Sequence, residues 1–144
     1  MFLNFLNEKE GKNFLELAKI AMNVNGIVQD SEKAIFDTYR RELNLQGYTL
    51  RNKELKDLIT EFQASTKKIK KVVIIELAGV LDADQEIDTN EESWIMNLGM
   101  EWGFRESEIK KMIRWTQDFN DLLAEALSIS TNARRKQIWV FLDG

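Results

Sequence analysis

Between residues 82 and 92 the chain reads Asp-Ala-Asp-Gln-Glu-Ile-Asp-Thr-Asn-Glu-Glu, six carboxylates in eleven positions with no Lys or Arg among them. There is no Cys and no His anywhere in the chain. A metal site would therefore be built from oxygen, which favours hard divalent cations such as Ca²⁺, Mg²⁺ or Mn²⁺. The same two absences remove thiol nucleophiles, disulfides, imidazole acid–base chemistry and nearly all structural zinc sites. An enzyme would have to draw its acid and base from carboxylates alone. Nothing in their spacing matches a glycosidase pocket or a nucleotide-binding loop, so the expectation is a protein that is not an enzyme.

A weaker version of the acidic stretch stands about sixty residues earlier, as Asn25-Gly26-Ile27-Val28-Gln29-Asp30-Ser31-Glu32. With a shift of 59 residues Asn25 falls on Asp84 and Glu32 on Glu91. Glu32 shares a helix side with Ile35, Phe36 and Tyr39, and Glu91 has the same relation to Trp94, Ile95 and Leu98. A carboxylate on a buried side is costly unless it meets N–H donors, a cation or a proton. The candidate cation site is accordingly Asp84, Glu86, Asp88 and Glu91, joined by Asn25 and Glu32 from the earlier loop. The competing reading is that first-turn acids complement the helix dipole and the rest of the segment is solvated surface. The segment is not an EF-hand. Counted from Asp82, its sixth position is Ile87 where Gly is needed, and its twelfth is Ser93 where Glu is needed.

The elements that would position these acids read as helices. Phe14, Leu17, Ala18, Ala21 and Val24 follow one helix face, with Glu16, Lys19 and Asn23 opposite, and Asn25-Gly26 closes the pattern. Asp30 reads as the cap of a second helix buried through Ile35, Phe36, Tyr39 and Leu43. Leu55, Leu58, Ile59 and Phe62 give a third after the Gln46-Gly47 break. Ile69, Val72, Val73, Leu77, Val80 and Leu81 are apolar around most of a helix, which predicts a central one. Thr89-Asn90-Glu91-Glu92 fits a capping box ahead of Trp94, Ile95, Leu98 and Trp102. Ile109, Met112, Ile113, Thr116, Leu123 and Ala126 mark a long sixth helix. Ile138 to Leu142 reads as a tail helix, with a short strand the alternative. Proline is absent, which suits a chain helical nearly throughout.

Two registers relate the halves. A shift of 60 matches Glu16-Leu17-Ala18 with Glu76-Leu77-Ala78 literally, whereas 59 superposes the apolar faces. One residue of slip rotates a helix by about 100°, so 59 is preferred. The expected fold is all-α: a compact bundle of two pseudo-symmetric three-helix repeats, about 10–64 and about 66–127, with a tail helix at about 131–142, in a single domain over residues 1–144.

The chain is 44% hydrophobic and 31% charged, in the range of globular proteins. Its net charge of −4 argues against nucleic acid as a partner. No apolar run approaches the roughly 20 residues of a membrane span, and Met1 to Leu6 makes a poor signal peptide, so a cytoplasmic protein is expected. Lys67-Lys68-Ile69-Lys70-Lys71 reads as a solvated basic collar, and Arg134-Arg135-Lys136 as the polar lead into a tail packed on the bundle.

Taken together, Leu17-Ala18 through Glu32, Leu77-Ala78 through Glu92, and Trp102-Gly103-Phe104-Arg105-Glu106-Ser107-Glu108-Ile109 resemble the TerB-like family. That family comprises the tellurite-resistance TerB proteins and the amino-terminal domain of a DnaJ-type membrane co-chaperone. The resemblance covers roughly residues 10 to 127. It implies about seven helices, an acidic surface proposed to bind divalent metal, and a role in tellurite and other stress responses within a membrane-associated protein assembly. Two departures stand out. Asn25 replaces the family's Asp, with Gln29 opposite Asp88, and Gln85 replaces its Gly, so a surviving metal site would lean on the second repeat. The expected function is a non-enzymatic TerB-like module binding a divalent cation and docking on a protein partner; the alternative is a metal-free adaptor of the same fold.

Overall fold

A computed structural model describes residues 2–26, 29–82 and 87–129, for residues 25, 29–31 and 129 the backbone alone. Those residues form α1 (Glu8–Asn25), α2 (Gln29–Leu43), α3 (Leu55–Phe62), α4 (Lys67–Leu81), α5 (Thr89–Glu101) and α6 (Glu106–Ile129), preceded by a 3-10 turn at Leu3–Phe5. The chain is thus all-helical over the described residues, with no strand among them. The tail at about 131–142 lies outside them.

Helix starts follow side chains that satisfy the first free N–H groups. Asn7 and Glu10 form a reciprocal capping box for α1, which begins well before the apolar pattern that first marks it. Thr66 accepts from the Ile69 N–H at the start of α4. Glu108 accepts from the Arg105 N–H at 3.1 Å at the start of α6. α2 begins at Gln29, so Asp30 sits inside its first turn and is not the cap. The ends of α1 and α5 use left-handed glycines: Gly26 at φ 70°, donating to the Met22 carbonyl, and Gly103 at φ 87°, donating to Met100.

α4 is central. It packs on α1, α5, α6 and the 3-10 turn, as its nearly all-round apolar surface requires. One core runs through Phe14, Leu17 and Ala18 of α1, Phe36 of α2, Leu58 and Phe62 of α3, Val73, Ile74 and Leu77 of α4, Ile95 and Leu98 of α5, and Ile109 and Ile113 of α6. The buried arc of α5 is Glu91, Ile95, Leu98 and Gly99, with Trp102 just beyond its end, and Trp94 is only half-buried at the edge of that arc. Trp102 packs with its ring tilted at 5.4 Å from Phe62 and donates its indole N–H to the Ile59 carbonyl, tying α5 to α3.

Candidate functional site

The acidic segment starts and ends in helix termini, and Asp82, Asp88 and Glu91 answer to protein groups. Asp82 closes α4, is 8% exposed, and accepts from the Asn120 amide of α6 at 2.8 Å. Asp88 is the N-cap of α5: its Oδ1 accepts from the Glu91 N–H at 2.8 Å, and Glu91 Oε1 accepts from the Asp88 N–H at 3.2 Å. The capping box therefore sits one residue earlier than the Thr89–Glu92 reading, with Thr89 as the first helical residue. Two overlapping windows compete here, and the Asp88–Glu91 one turns the Glu91 side into the core. Glu91 is 4% exposed. Asp84 and Glu86 lie outside the described residues.

At the first junction, Glu32 of α2 pairs with Lys19 of α1. A half-buried carboxylate there meets a cation, and the cation is an ammonium from the neighbouring helix. Asn25 is the last residue of α1, and its side chain lies outside the description. Among the described residues no group of three or more carboxylates gathers as a metal ion would require.

The cleft beside this segment has the opposite electrostatic character. It holds about 280 Å³ between α5 and α6, lined by Ile87, Glu92, Lys110, Ile113, Arg114 and Gln117. Two cations against one carboxylate suit an anionic group on a partner better than a free cation. Lys110 also pairs with Glu106 at 3.0 Å on its own helix.

Two buried carboxylates lie outside the expected site: Glu76, on the flank of the apolar arc of α4, and Glu16, which escaped the periodicity. Glu16, on the expected polar side of α1, is 2% exposed. The chain between α2 and α3 crosses it, so that it accepts the Tyr48 hydroxyl at 2.5 Å and the N–H groups of Arg51 and Lys53 at 2.8 and 3.2 Å. Glu76, sixty residues on, accepts the Phe2 N–H at 2.7 Å. Each fastens a crossing strand of backbone to a central helix. The literal repeat of Glu-Leu-Ala was the signal available in the sequence. Beside Glu16, Lys53 bridges the Asn13 amide oxygen at 2.9 Å and Glu61 at 3.0 Å.

Burial, with these acids second, pushes both tyrosine hydroxyls up. Burial, then the charges of Glu76 and Glu42, pushes the Tyr39 hydroxyl well above its usual range. Burial, then the hydrogen bond to Glu16, pushes Tyr48 up to about 12. At the start of α6 the Arg105 N–H holds the Glu108 carboxyl below the usual range.

Three of the four lysines of the basic collar make local contacts: Lys68 lies over the Phe5 ring at 4.0 Å, Lys70 donates to the Gln63 carbonyl, and Lys67 reaches Glu108 at 3.7 Å. Arg134-Arg135-Lys136 lies outside the described residues. Among the described residues no helix is long and apolar enough to cross a membrane. No protein-family model, curated protein or solved structure matches the chain.

Proposed function

We propose that this chain is a non-enzymatic, TerB-like helical module that docks onto a protein partner in a stress-response assembly, with tellurite among the stresses it serves. The acidic segment between α4 and α5, with the adjoining cleft, is the docking surface. The observation that carries this reading is the engagement of Asp82, Asp88, Glu91 and Glu32 by Asn120, backbone N–H groups and Lys19. Each of these carboxylates has at least one partner in the fold and so serves to fix the ends of the segment. Asp84, Glu86 and Glu92 then carry its charge to a partner.

The TerB-like resemblance is supported by the equivalence of the second helix in each half. Phe36 and Ile95 are the buried anchors, 59 residues apart, each four residues beyond the carboxylate at its helix start, Glu32 or Glu91. A second reading, in which Asp84, Glu86 and Asp88 hold Ca²⁺, Mg²⁺ or Mn²⁺, is favoured by the density of acid in residues 82–92. A cytoplasmic location and a membrane-associated partner belong to the same proposal.

The test is affinity capture with the full chain from tellurite-stressed cells, compared with the variant Asp84→Asn, Glu86→Gln, Glu92→Gln. That variant leaves Asp82, Asp88, Glu91 and Glu32, whose partners are described, intact. A partner retained by the wild type and lost by the variant is the expected result. Equal retention, or Mn²⁺-dependent phosphodiesterase or phosphatase turnover abolished by Asp84→Asn, would overturn the proposal.

A further inference from the structure

α6 carries two apolar faces, and only one of them meets the core. Ile109, Ile113 and Thr116 are buried against α4 and α5. Trp115, Phe119, Leu122 and Ala126 recur at spacings of four, three and four, a second stripe on the same helix. Trp115 is 44% exposed and Leu122 64%. Trp115 and Phe119 stack with their rings 5.6 Å apart, and Phe2 extends the surface at 6.0 Å from Trp115. The stripe runs about 16 Å along the helix, at 1.5 Å per residue. Contiguous exposed apolar surface of this kind marks an interaction site.

Charge along the helix identifies the occupant. The exposed charged residues of the first half are Glu106, Lys110, Lys111 and Arg114, with Glu106 paired to Lys110, and those of the second half are Asp118, Asp121 and Glu125. Placed antiparallel against itself about a twofold axis near Asp118 and Phe119, the helix sets Trp115 of one copy over Leu122 of the other. The same register brings Lys111 opposite Glu125 and Arg114 opposite Asp121, and each contact occurs twice. The four opposite-charge contacts outnumber the one like pair, Asp118 against Asp118 beside the axis, and such a balance favours the antiparallel, isologous arrangement. We infer that α6 is the contact through which two copies of this chain associate, apolar stripe to apolar stripe, in antiparallel register.

The experiment is sedimentation equilibrium of the full chain over a wide concentration range. The mass is expected to rise from one chain to two and stop there. Leu122→Glu, at an exposed position, is expected to weaken association at least tenfold, or about 1.4 kcal/mol, with helical content unchanged by circular dichroism. Arg114→Asp is expected to weaken it, and Arg114→Asp combined with Asp121→Arg to restore it. Because the chain has no cysteine, Asp118→Cys gives a single thiol beside the axis that a short bis-maleimide should cross-link, whereas Lys56→Cys on α3 should not. A monomer at every concentration overturns the inference and leaves the stripe to a foreign partner or to residues 130–144. A dimer indifferent to Leu122→Glu, or a charge exchange that fails to restore association, overturns it as well.

Discussion

Glu16 shows how a single residue can be read correctly in type and wrongly in place. Its position on α1 is polar by local periodicity, yet residues 48–53, more than thirty positions away in sequence, close over it and donate three hydrogen bonds. No window of helical length contains that information. Glu91 was easier, because its neighbours Ile95 and Leu98 define the buried side of the same helix. The Tyr48 hydroxyl reports on the Glu16 clamp. Its pKa is raised from 10 to about 12, so the neutral hydroxyl is favoured in the fold. That contribution to stability is fully present below about pH 10 and is lost as pH rises through about 12. The chain has two tyrosines, and both are shifted upwards. Ultraviolet titration of Tyr39→Phe should therefore show one phenolate appearing near pH 12. A midpoint at the ordinary value of 10 would mean that the clamp is open in solution.

At the level of elements, helix faces were legible wherever periodicity was set by contacts within one helix and its nearest neighbours. The apolar positions of α3, α4 and the first half of α6 fall on the buried side as their spacing requires. Boundaries were less legible, since they depend on which of several capping residues wins. α1 starts at the Asn7–Glu10 box, and α5 starts at Thr89 itself, capped by Asp88 one residue before it. Close approach between helices is set by residues that periodicity cannot weigh. A Cβ at Gly99 would lie 2.6 and 2.8 Å from two carbons of Ile109 on α6, whereas one at Gly79 of α4 meets nothing within 4 Å. Gly99→Ala should consequently cost about 1–3 kcal/mol by overpacking. Gly79→Ala should stabilise by about 0.4–1 kcal/mol, through reduced freedom of the unfolded chain. Denaturant midpoints on both variants decide this, and an equal response at the two positions would contradict the α5–α6 contact.

For the whole molecule, Asp82, Asp88, Glu91 and Glu32 are divided among a cap, an amide and an ammonium. The fold class was legible because proline is absent and apolar spacing is helical throughout. For the candidate cation site, Asp84 and Glu86 lie outside the described residues, and composition alone does not say how the two loops sit. The proposed function makes the acidic segment a surface for a partner, and the most direct measurement is a calorimetric titration of the metal-free full chain with Ca²⁺, Mn²⁺ and Mg²⁺. Glu91→Gln, which preserves a capping-box side chain, and Asp84→Asn are titrated alongside. The docking account predicts no heat above dilution for any of the three proteins. Saturable binding by the wild type that weakens at least tenfold, about 1.4 kcal/mol, in either variant would contradict it and establish a carboxylate cation site in its place.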